Sequence, residues 1–368
     1  MVAENLEEPN NSNKIKSYIL MVIALLLFIF AIDLLTVSMG NLNNSVANGI
    51  LLATENPFVG LFIGILMTAL IQSSSTVTST VVAVVAAGNL ELSQAVPIVL
   101  GANIGTTLTS TLVSLSYIMK KKRFARALSA GILHDFFNMF TVFILLPLEL
   151  IFGFLSNLAT QTAHLFADES YDGTFLYSKT FTRPLTEWLT ELIGIPFLTL
   201  IISIFLIFGA IKLLTSSVFK AFIFDSFNEI SNIVFKFPYR ALFYGTLFTA
   251  AVQSSTVTTS LIIPLVANKR VTLARSFPFI IGANIGTTIT AAIAAVYKTE
   301  AAIALALVHF FINLFGALIM MPIPAVRNLP VRLAKNFGKK SAKNRLIGFA
   351  YILLVFFIIP FLLIYFSD

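Results

Sequence analysis

The chain has 368 residues, of which 57% are hydrophobic and only 11% are charged, too few charges to cover the surface of a soluble protein of this size. Apolar runs of about 20 residues have the length that crosses a bilayer, so an all-α integral membrane protein is predicted, whereas a transmembrane β-barrel would show alternating segments of about 10 residues. The absence of cysteine excludes disulfides and thiolate metal sites, and the net charge of +7 lies in loops beside apolar runs, which indicates membrane topology and not nucleic-acid binding.

The N-terminal part of the chain predicts a tail, a membrane span and a hairpin. Residues 1–16 are polar, and Tyr18–Val37 is the first span; it is too long for a signal-peptide core, so we expect it to be retained. Two apolar arms follow, Phe58–Ile71 and Val77–Ala87, joined by the polar block Gln72–Ser75. Arms this short cannot cross a bilayer alone. They predict a re-entrant hairpin, whose tip must be buried in protein or line a cavity.

The next predicted span, Ala95–Ile118, is interrupted by the motif Gly101–Thr107, which reads Gly-Ala-Asn-Ile-Gly-Thr-Thr. Two glycines in this setting favour an unwound helix with free backbone groups. A basic loop over residues 120–126 leads to another span, Leu128–Phe154. Residues 154–190 are polar and more acidic than basic.

The same pattern returns at a constant offset of 181 residues. Gln253–Ser260 repeats Gln72–Ser79, and Gly282–Thr288 repeats Gly101–Thr107. Two separate blocks in one register identify an internal duplication. We therefore expect the function to reside where the two copies meet.

The second copy has the same predicted elements in the same order. It begins with the span Leu192–Leu214 and continues with a second hairpin around Gln253 and a second broken span, about Phe277–Val296. Residues 323–345 are strongly basic, and Leu346–Phe366 is a final span outside the repeat.

Charge predicts the orientation. The basic residues 120–126 and 323–345 are expected in the cytoplasm, and the acidic residues 154–190 outside. Each copy then has three full crossings, and an odd number inverts the second copy, a common plan in secondary transporters. The prediction is inverted structural repeats, each with a re-entrant helical hairpin and a broken transmembrane helix. The predicted division is a tail (1–16), repeat 1 (17–153), an extracellular loop (154–190), repeat 2 (191–322), a cytoplasmic loop (323–345) and a final helix (346–368).

The repeated blocks are uncharged and rich in hydroxyl and amide groups. Hydroxyl and carbonyl oxygens suit a hard cation such as sodium, and helix N-termini suit an anion. Because the tips carry no Arg or Lys, a buried anion needs another counter-charge, which co-bound cations would supply. The alternative is that these Ser and Thr side chains only bond to helix carbonyls or pack between helices. Two eight-residue runs in register favour cation-coupled transport of an anion or polar solute.

Two histidines accompany asparagines at helical spacing. His134 shares a helix face with Asn138, and His309 shares one with Asn313. A proton relay is one interpretation; helix packing and hydrogen bonding is preferred.

Asp33 and Lys212 occupy matching positions in the two copies. We interpret both as anchors at helix ends, with an ion pair across the repeat axis as the alternative. The sequence has no nucleophile beside a base, no nucleotide phosphate loop and no transition-metal cluster, so an enzyme is not predicted.

Three features of the sequence resemble the sodium/phosphate cotransporter family, its type II group and bacterial relatives, over roughly residues 20–322. They are the paired Gln-Ser-Ser blocks, the paired Gly-Ala-Asn-Ile-Gly-Thr-Thr motifs and the segment Ala125–Glu149. The resemblance implies sodium-coupled symport of inorganic phosphate by alternating access in a multi-pass protein of the cell membrane. It implies no cofactor beyond sodium as coupling ion, and it leaves a homodimer open. Electrogenic animal members have an acidic residue where this chain has Lys120–Arg123, which puts an extra coupled sodium in question.

Matching motifs give the candidate site residues. The phosphate candidates are Gln72, Ser73, Ser74, Ser75, Gln253, Ser254, Ser255 and Thr256. The sodium candidates are Thr78, Asn103, Thr106, Thr259, Asn284 and Thr287. Two alternatives stay open: a sodium-coupled transporter of sulfate or a carboxylate, and an anion channel, since channels also use uncharged polar re-entrant loops.

Overall fold

The computed structural model describes residues 11–42, 44–165, 182–222, 233–295 and 299–367, and every regular element within these ranges is a helix. In chain order the α-helices are α1 (Asn11–Gly40), α2 (Asn44–Ala53), α3 (Pro57–Ile71), α4 (Ser74–Ala86), α5 (Leu92–Gly105), α6 (Leu108–Leu115), α7 (Lys121–Phe152), α8 (Phe154–His164), α9 (Arg183–Ile193), α10 (Pro196–Phe222), α11 (Pro238–Val252), α12 (Ser255–Ala267), α13 (Leu273–Ala295), α14 (Glu300–Met320), α15 (Pro324–Lys343), α16 (Arg345–Leu353) and α17 (Ile359–Tyr365). A π-helical turn, Leu354–Ile358, joins α16 to α17.

Seven stretches of the described chain are long and apolar enough to cross a membrane, which confirms a multi-pass, all-helical membrane protein. They are α1 from Lys16 onward, α5 with α6, α7, α10 as far as Ser217, α13, α14, and the stretch from α16 to α17. The segment predicted as a basic loop, residues 323–345, is largely helical: α15 packs along α7.

Each predicted hairpin is a pair of short helices with the same lengths in both copies. The arms α3 and α4 have 15 and 13 residues, and α11 and α12 also have 15 and 13. At about 1.5 Å per residue such helices are roughly 20 Å long, shorter than the hydrocarbon core of about 30 Å. Their length fits the prediction of re-entrant hairpins, which stays a prediction.

The glycine motif breaks the helix in the first copy only. There α5 ends at Gly105 and α6 begins at Leu108, whereas α13 continues without interruption through Gly282–Thr288. The prediction of an unwound span is wrong for the second copy, and in the first copy the interruption is limited to Thr106 and Thr107, which keep right-handed helical backbone angles. In the first copy the Asn138 side chain donates to Asn103 O, while its counterpart Asn313 donates to a carbonyl of its own helix, so among the described residues α13 lacks the equivalent hydrogen bond.

The motif glycines serve close helix contact in both copies. A Cβ on Gly101 would lie 1.9 Å from Leu61 O, and one on Gly282 would lie 2.0 Å from Leu242 O. Only a residue without a side chain allows backbones to approach so closely, as small residues do in membrane helix pairs. This contact packs α5 against α3 and α13 against α11.

Helices of each copy pack against helices of the other copy. The first helices of the two copies, α1 and α10, pack against each other. The second arm of each hairpin packs against the other copy, α4 against α13 and α14, and α12 against α6 and α7. Both hairpin tips and both glycine motifs therefore lie where the copies meet.

Candidate functional site

The Gln-Ser pair ends one hairpin arm and starts the next in both copies. Gln72 and Gln253 both adopt the left-handed conformation with φ 56° and cap the first arms. Ser73 and Ser254 are extended and cap the second arms, accepting hydrogen bonds from Thr76 N at 3.2 Å and from Val257 N at 3.3 Å. The motif thus places a helix N-terminus, which favours anions, directly after each tip.

A cavity of about 510 Å³ lies between the two tips. Its walls come from both hairpins and from α10, and its lining residues are Gln72, Ser73, Phe208, Ile211, Lys212, Thr215, Ser216, Ser254, Thr256 and Val257. Four predicted phosphate residues therefore share one cavity: Gln72, Ser73, Ser254 and Thr256. The other four, Ser74, Ser75, Gln253 and Ser255, lie in the same turns but do not line it.

Lys212 is the charged side chain among the residues that line this cavity. From the sequence, Lys212 is predicted to be an anchor at a helix end, and no cation is predicted near the tips. In the structure Lys212 faces the same space as Ser73 and Ser254. A lysine inside an apolar span is costly and therefore a functional signal, and that signal in α10 could have placed Lys212 at the site.

Hydroxyl groups of the two copies also contact each other directly. Ser75 Oγ lies 3.3 Å from Thr287 Oγ1 and 3.5 Å from Gln253 O. Ser110 Oγ lies 2.8 Å from Thr259 Oγ1. The structure thus joins the predicted phosphate residue Ser75 to the predicted sodium residue Thr287 across the copies.

The two motif asparagines are held by side chains from the opposite copy. Asn284 Oδ1 lies 2.6 Å from His134 Nε2, and Asn284 Nδ2 donates to Asn138 Oδ1 at 2.7 Å. Asn103 Oδ1 lies 3.2 Å from His309 Nε2, and Asn103 Nδ2 lies 3.4 Å from the Asn313 side chain.

Because their amide groups are engaged in this way, Asn103 and Asn284 are placed to link the copies, and a sodium ion would have to displace a histidine from either. These contacts favour packing and hydrogen bonding as the role of His134 and His309.

The predicted sodium threonines differ in their hydrogen bonding. Thr106 and Thr259 donate to carbonyls of their own helices, Ala102 O and Ser255 O, each at 2.8 Å. Thr78 is buried, and its hydroxyl has no hydrogen-bond partner in the described part of the chain. Thr78 is therefore the threonine of this set whose oxygen is open to an ion.

Comparison with known proteins identifies the family of this chain. A family model described as Na+/Pi-cotransporter matches residues 27–164 and 204–358, which include both hairpins, both glycine motifs and Lys212. The chain belongs to the Na+/Pi-cotransporter family. No solved structure matches it.

The relatives of this Na+/Pi-cotransporter family member include mammalian proteins. The chain is 31% identical to sodium-dependent phosphate transport protein 2A of Ovis aries, over 93% of this chain and 66% of the relative. It is 30% identical to the 2A protein of Rattus norvegicus, over 91% and 65%, and 29% identical to the 2B protein of Homo sapiens, over 83% and 58%. The chain spans about two thirds of the length of the 2A relatives.

Proposed function

We propose that this protein is a secondary active transporter that carries inorganic phosphate into the cell together with sodium, by alternating access. The observation that carries the proposal is the cavity between the two Gln-Ser-Ser tips. Membership of the Na+/Pi-cotransporter family and the printed names of the relatives support the solute and the ion.

The cavity has the chemistry that an oxyanion needs. In the proposed site the side chains of Gln72, Ser73, Ser254 and Thr256 donate hydrogen bonds to phosphate oxygens, and two helix N-termini face the same space. Lys212 supplies one positive charge. The remaining charge of a phosphate dianion would cost several kcal/mol to bury without a partner.

Sodium ions would supply the remaining positive charge. Thr78 and the pair Ser75 and Thr287 are the hydroxyl oxygens best placed as ligands, the first because it has no partner among the described residues and the second because it joins both copies. Sodium bound there makes the adjacent cavity favourable for the anion, which is the physical basis of coupling in this proposal. The other predicted sodium residues are Asn103, Thr106, Thr259 and Asn284, and in this proposal they contribute by holding their helices in position.

Several features support inverted repeats and alternating access. Both copies have the same helix order around the hairpin, and each hairpin contacts the opposite copy. A solute site at the contact of two inverted repeats can open to either side when the units around it move. The relatives are transporters, which fits a protein that is not an enzyme.

The test is uptake of isotopically labelled phosphate into proteoliposomes, with an inward sodium gradient or with potassium in its place. We expect accumulation above the external concentration only with sodium. Equal uptake in potassium would contradict coupling, and equilibration without accumulation would indicate a channel. Sulfate and dicarboxylates, each added in excess, separate phosphate from the other oxyanions. Uptake that persists in their presence assigns the site to phosphate, and uptake abolished by one of them at a lower concentration than by unlabelled phosphate assigns the site to that anion.

A further inference from the structure

The final span, from α16 to α17, covers a surface of the first copy that α3 and α7 form. Tyr351 Oη donates to Asp135 Oδ2 of α7 at 2.8 Å. A Cβ on Gly348 would lie 3.5 Å from a methyl group of Leu128, also in α7. The last helix, α17, packs along the hairpin arm α3. The final span lies outside the repeat, so the duplication does not provide the second copy with a matching helix.

The matching surface of the second copy holds a cavity of about 580 Å³. At the offset of 175 residues that relates α14 to α7, Ile303 corresponds to Leu128 and Phe310 corresponds to Asp135. Ile303 and Phe310 both line the cavity, and α11, the counterpart of α3, supplies part of its wall. The cavity therefore lies where the final span would lie if it were repeated in the second copy.

The lining of this cavity is apolar. Its residues come from α11, α13 and α14, and none of those in the described part of the chain is charged. Two are polar, but Thr246 Oγ1 donates to Leu242 O at 3.1 Å and Thr288 Oγ1 donates to Ile285 O at 2.7 Å, so both hydroxyls are bonded to their own helices. An ion placed here would lose its water and gain no opposite charge, which leaves an apolar ligand.

The cavity opens toward the hydrocarbon of the bilayer. Two of the helices that form it, α13 and α14, are long and apolar enough to cross a membrane. Ile289, which lines the cavity, is 40% exposed, so the cavity reaches the outer surface of the helix bundle. At that surface a membrane-spanning helix faces lipid chains and not water.

The dimensions of the cavity suit a chain thinner than a helix. Small residues on all three helices form its walls, among them Ala250, Gly286, Ala292 and Ala306. An α-helix with its side chains is about 10 Å across, so the cavity volume equals roughly 7 Å of such a helix, or about five residues. A hydrocarbon chain is more slender and carries no backbone polar groups that would need partners in this lining.

We infer that this cavity binds one acyl chain of a membrane phospholipid, which takes the place in the second copy that the final span takes in the first. Since lipid tails surround the protein in any case, the chain is held by close packing against the lining and not by escape from water. The bound chain contacts α11, an arm of the second hairpin, together with α14, and so packs that arm against the bundle. The inference does not depend on which solute the protein carries.

The first experiment titrates delipidated full-length protein in detergent with dioleoyl phosphatidylcholine and measures the fraction with one bound phospholipid by native mass spectrometry. Ala306→Phe fills the cavity from α14 and should raise the half-saturating lipid concentration by at least about fivefold. Ala292→Leu fills it more mildly from α13 and keeps the test valid if the first variant does not fold. Ala301→Phe, on an exposed position of α14, is the matched control and should bind lipid as the wild type does.

The second experiment uses the repeat itself as a control. Phosphatidylcholine with a photoactivatable diazirine on one acyl chain is incorporated into nanodiscs with the protein, and labelled peptides are identified by mass spectrometry. We expect labelling at Ala292 and Ala306, and none at their counterparts Thr111 and Gly131, because the final span covers that surface of the first copy.

Three results would overturn the inference. One is a wild-type protein that binds no phospholipid after delipidation, and another is equal lipid binding by the wild type and both cavity variants. The third is a dimer in the mass spectrum that Ala306→Phe or Ala292→Leu converts to monomer, which would assign the cavity to a second copy of the chain. Neither experiment uses phosphate or sodium, so failure of this site and failure of sodium-coupled uptake are separate results.

Discussion

The two copies share the backbone of their hairpins but not the polar partners inside them. In the second hairpin Thr249 Oγ1 donates to Thr258 Oγ1 at 2.9 Å, which joins the two arms beside the tip. In the first hairpin Val77 replaces the second threonine, and the Thr68 hydroxyl is buried without a partner in the described residues. The caps at Gln72 and Gln253 are thus identical, but the hydrogen bonds inside the two hairpins differ.

A second pair of positions shows the same difference. Thr259 contacts Ser110 of the opposite copy at 2.8 Å. The counterpart of Thr259 in the first copy is Thr78, and the counterpart of Ser110 in the second copy is Ala291, which has no hydroxyl. Thr78 is left without a partner among the described residues. The comparison teaches that the duplication preserves the geometry of the hairpins, whereas at these two positions the hydroxyls of the first copy lack partners among the described residues and those of the second copy are paired.

The largest expected effect tests whether both tips serve one solute. Replacing Ser73 and Ser254 together by alanine removes the two serine hydroxyls that line the cavity, one from each tip. Because hydrogen bonds to a charged group are worth about 1.5–3 kcal/mol each, phosphate uptake should fall by at least about tenfold at normal expression. Ser116→Ala, which removes an exposed hydroxyl bonded to its own helix, is the control. Unchanged uptake in the double variant would refute these assignments.

The next effect concerns stability and should be equal in both copies. Gly101→Ala and Gly282→Ala each place a methyl group within 2.0 Å of a carbonyl oxygen of the neighbouring helix. Overpacking of this kind costs about 1–3 kcal/mol or more, so both variants should melt at clearly lower temperature. Gly209→Ala, where nothing lies within 4 Å, should not. A large drop in melting temperature for only one of the two variants would show that the helix packing differs between the copies.

Lys212 and Asp33 occupy matching positions in the two copies but carry opposite charges. Substitutions at both test whether Lys212 alone acts on phosphate. Lys212→Gln removes the charge from the cavity and should raise the KM for phosphate by about tenfold, or about 1.4 kcal/mol. Lys212→Arg should retain most of the affinity, since it keeps the charge. Asp33 is bonded by Thr182 and does not line the cavity, so Asp33→Asn should leave this KM unchanged. Initial uptake rates at saturating sodium measure all three, and equal KM values for Lys212→Gln and wild type would remove Lys212 from the site.

The smallest effect separates ion binding from hydrogen bonding. Thr259→Val breaks the contact with Ser110 and should destabilise the protein by about 1 kcal/mol. Thr78→Val breaks no hydrogen bond with a described residue, so it should change stability less while raising the sodium concentration for half-maximal uptake. Melting curves measure the stability of both variants, and sodium titrations of phosphate uptake measure the sodium concentration for half-maximal uptake. The reverse pattern would assign the ion to the second copy.

The sequence was sufficient for the membrane class, the number of spans and the duplicated tips, because apolar length and repeated motifs are local signals. It was insufficient for the continuous α13, since the same glycines that permit unwinding also permit close packing, and only the neighbouring helix decides between them.

Contacts between distant residues were also beyond the sequence. Lys212 faces the tips because α10 packs beside the hairpins, and Tyr351 reaches Asp135 across 216 positions from a helix outside the repeat. The exchange of histidine and asparagine partners between copies is likewise a product of the tertiary fold, although the matched spacing of His134 with Asn138 had indicated a shared helix face.

That exchange limits which parts of the molecule can move as separate bodies. Sliding α5 and α7 past α13 and α14 would break the contacts of both motif asparagines at once, each worth about 1 kcal/mol. A displacement of the α1–α10 pair along this block would leave those contacts intact, because neither helix takes part in them. The asparagine cross-links thus favour movement of the four central helices as one body, and in the proposed transport cycle they place the moving surface at its flank, where Lys212 lies.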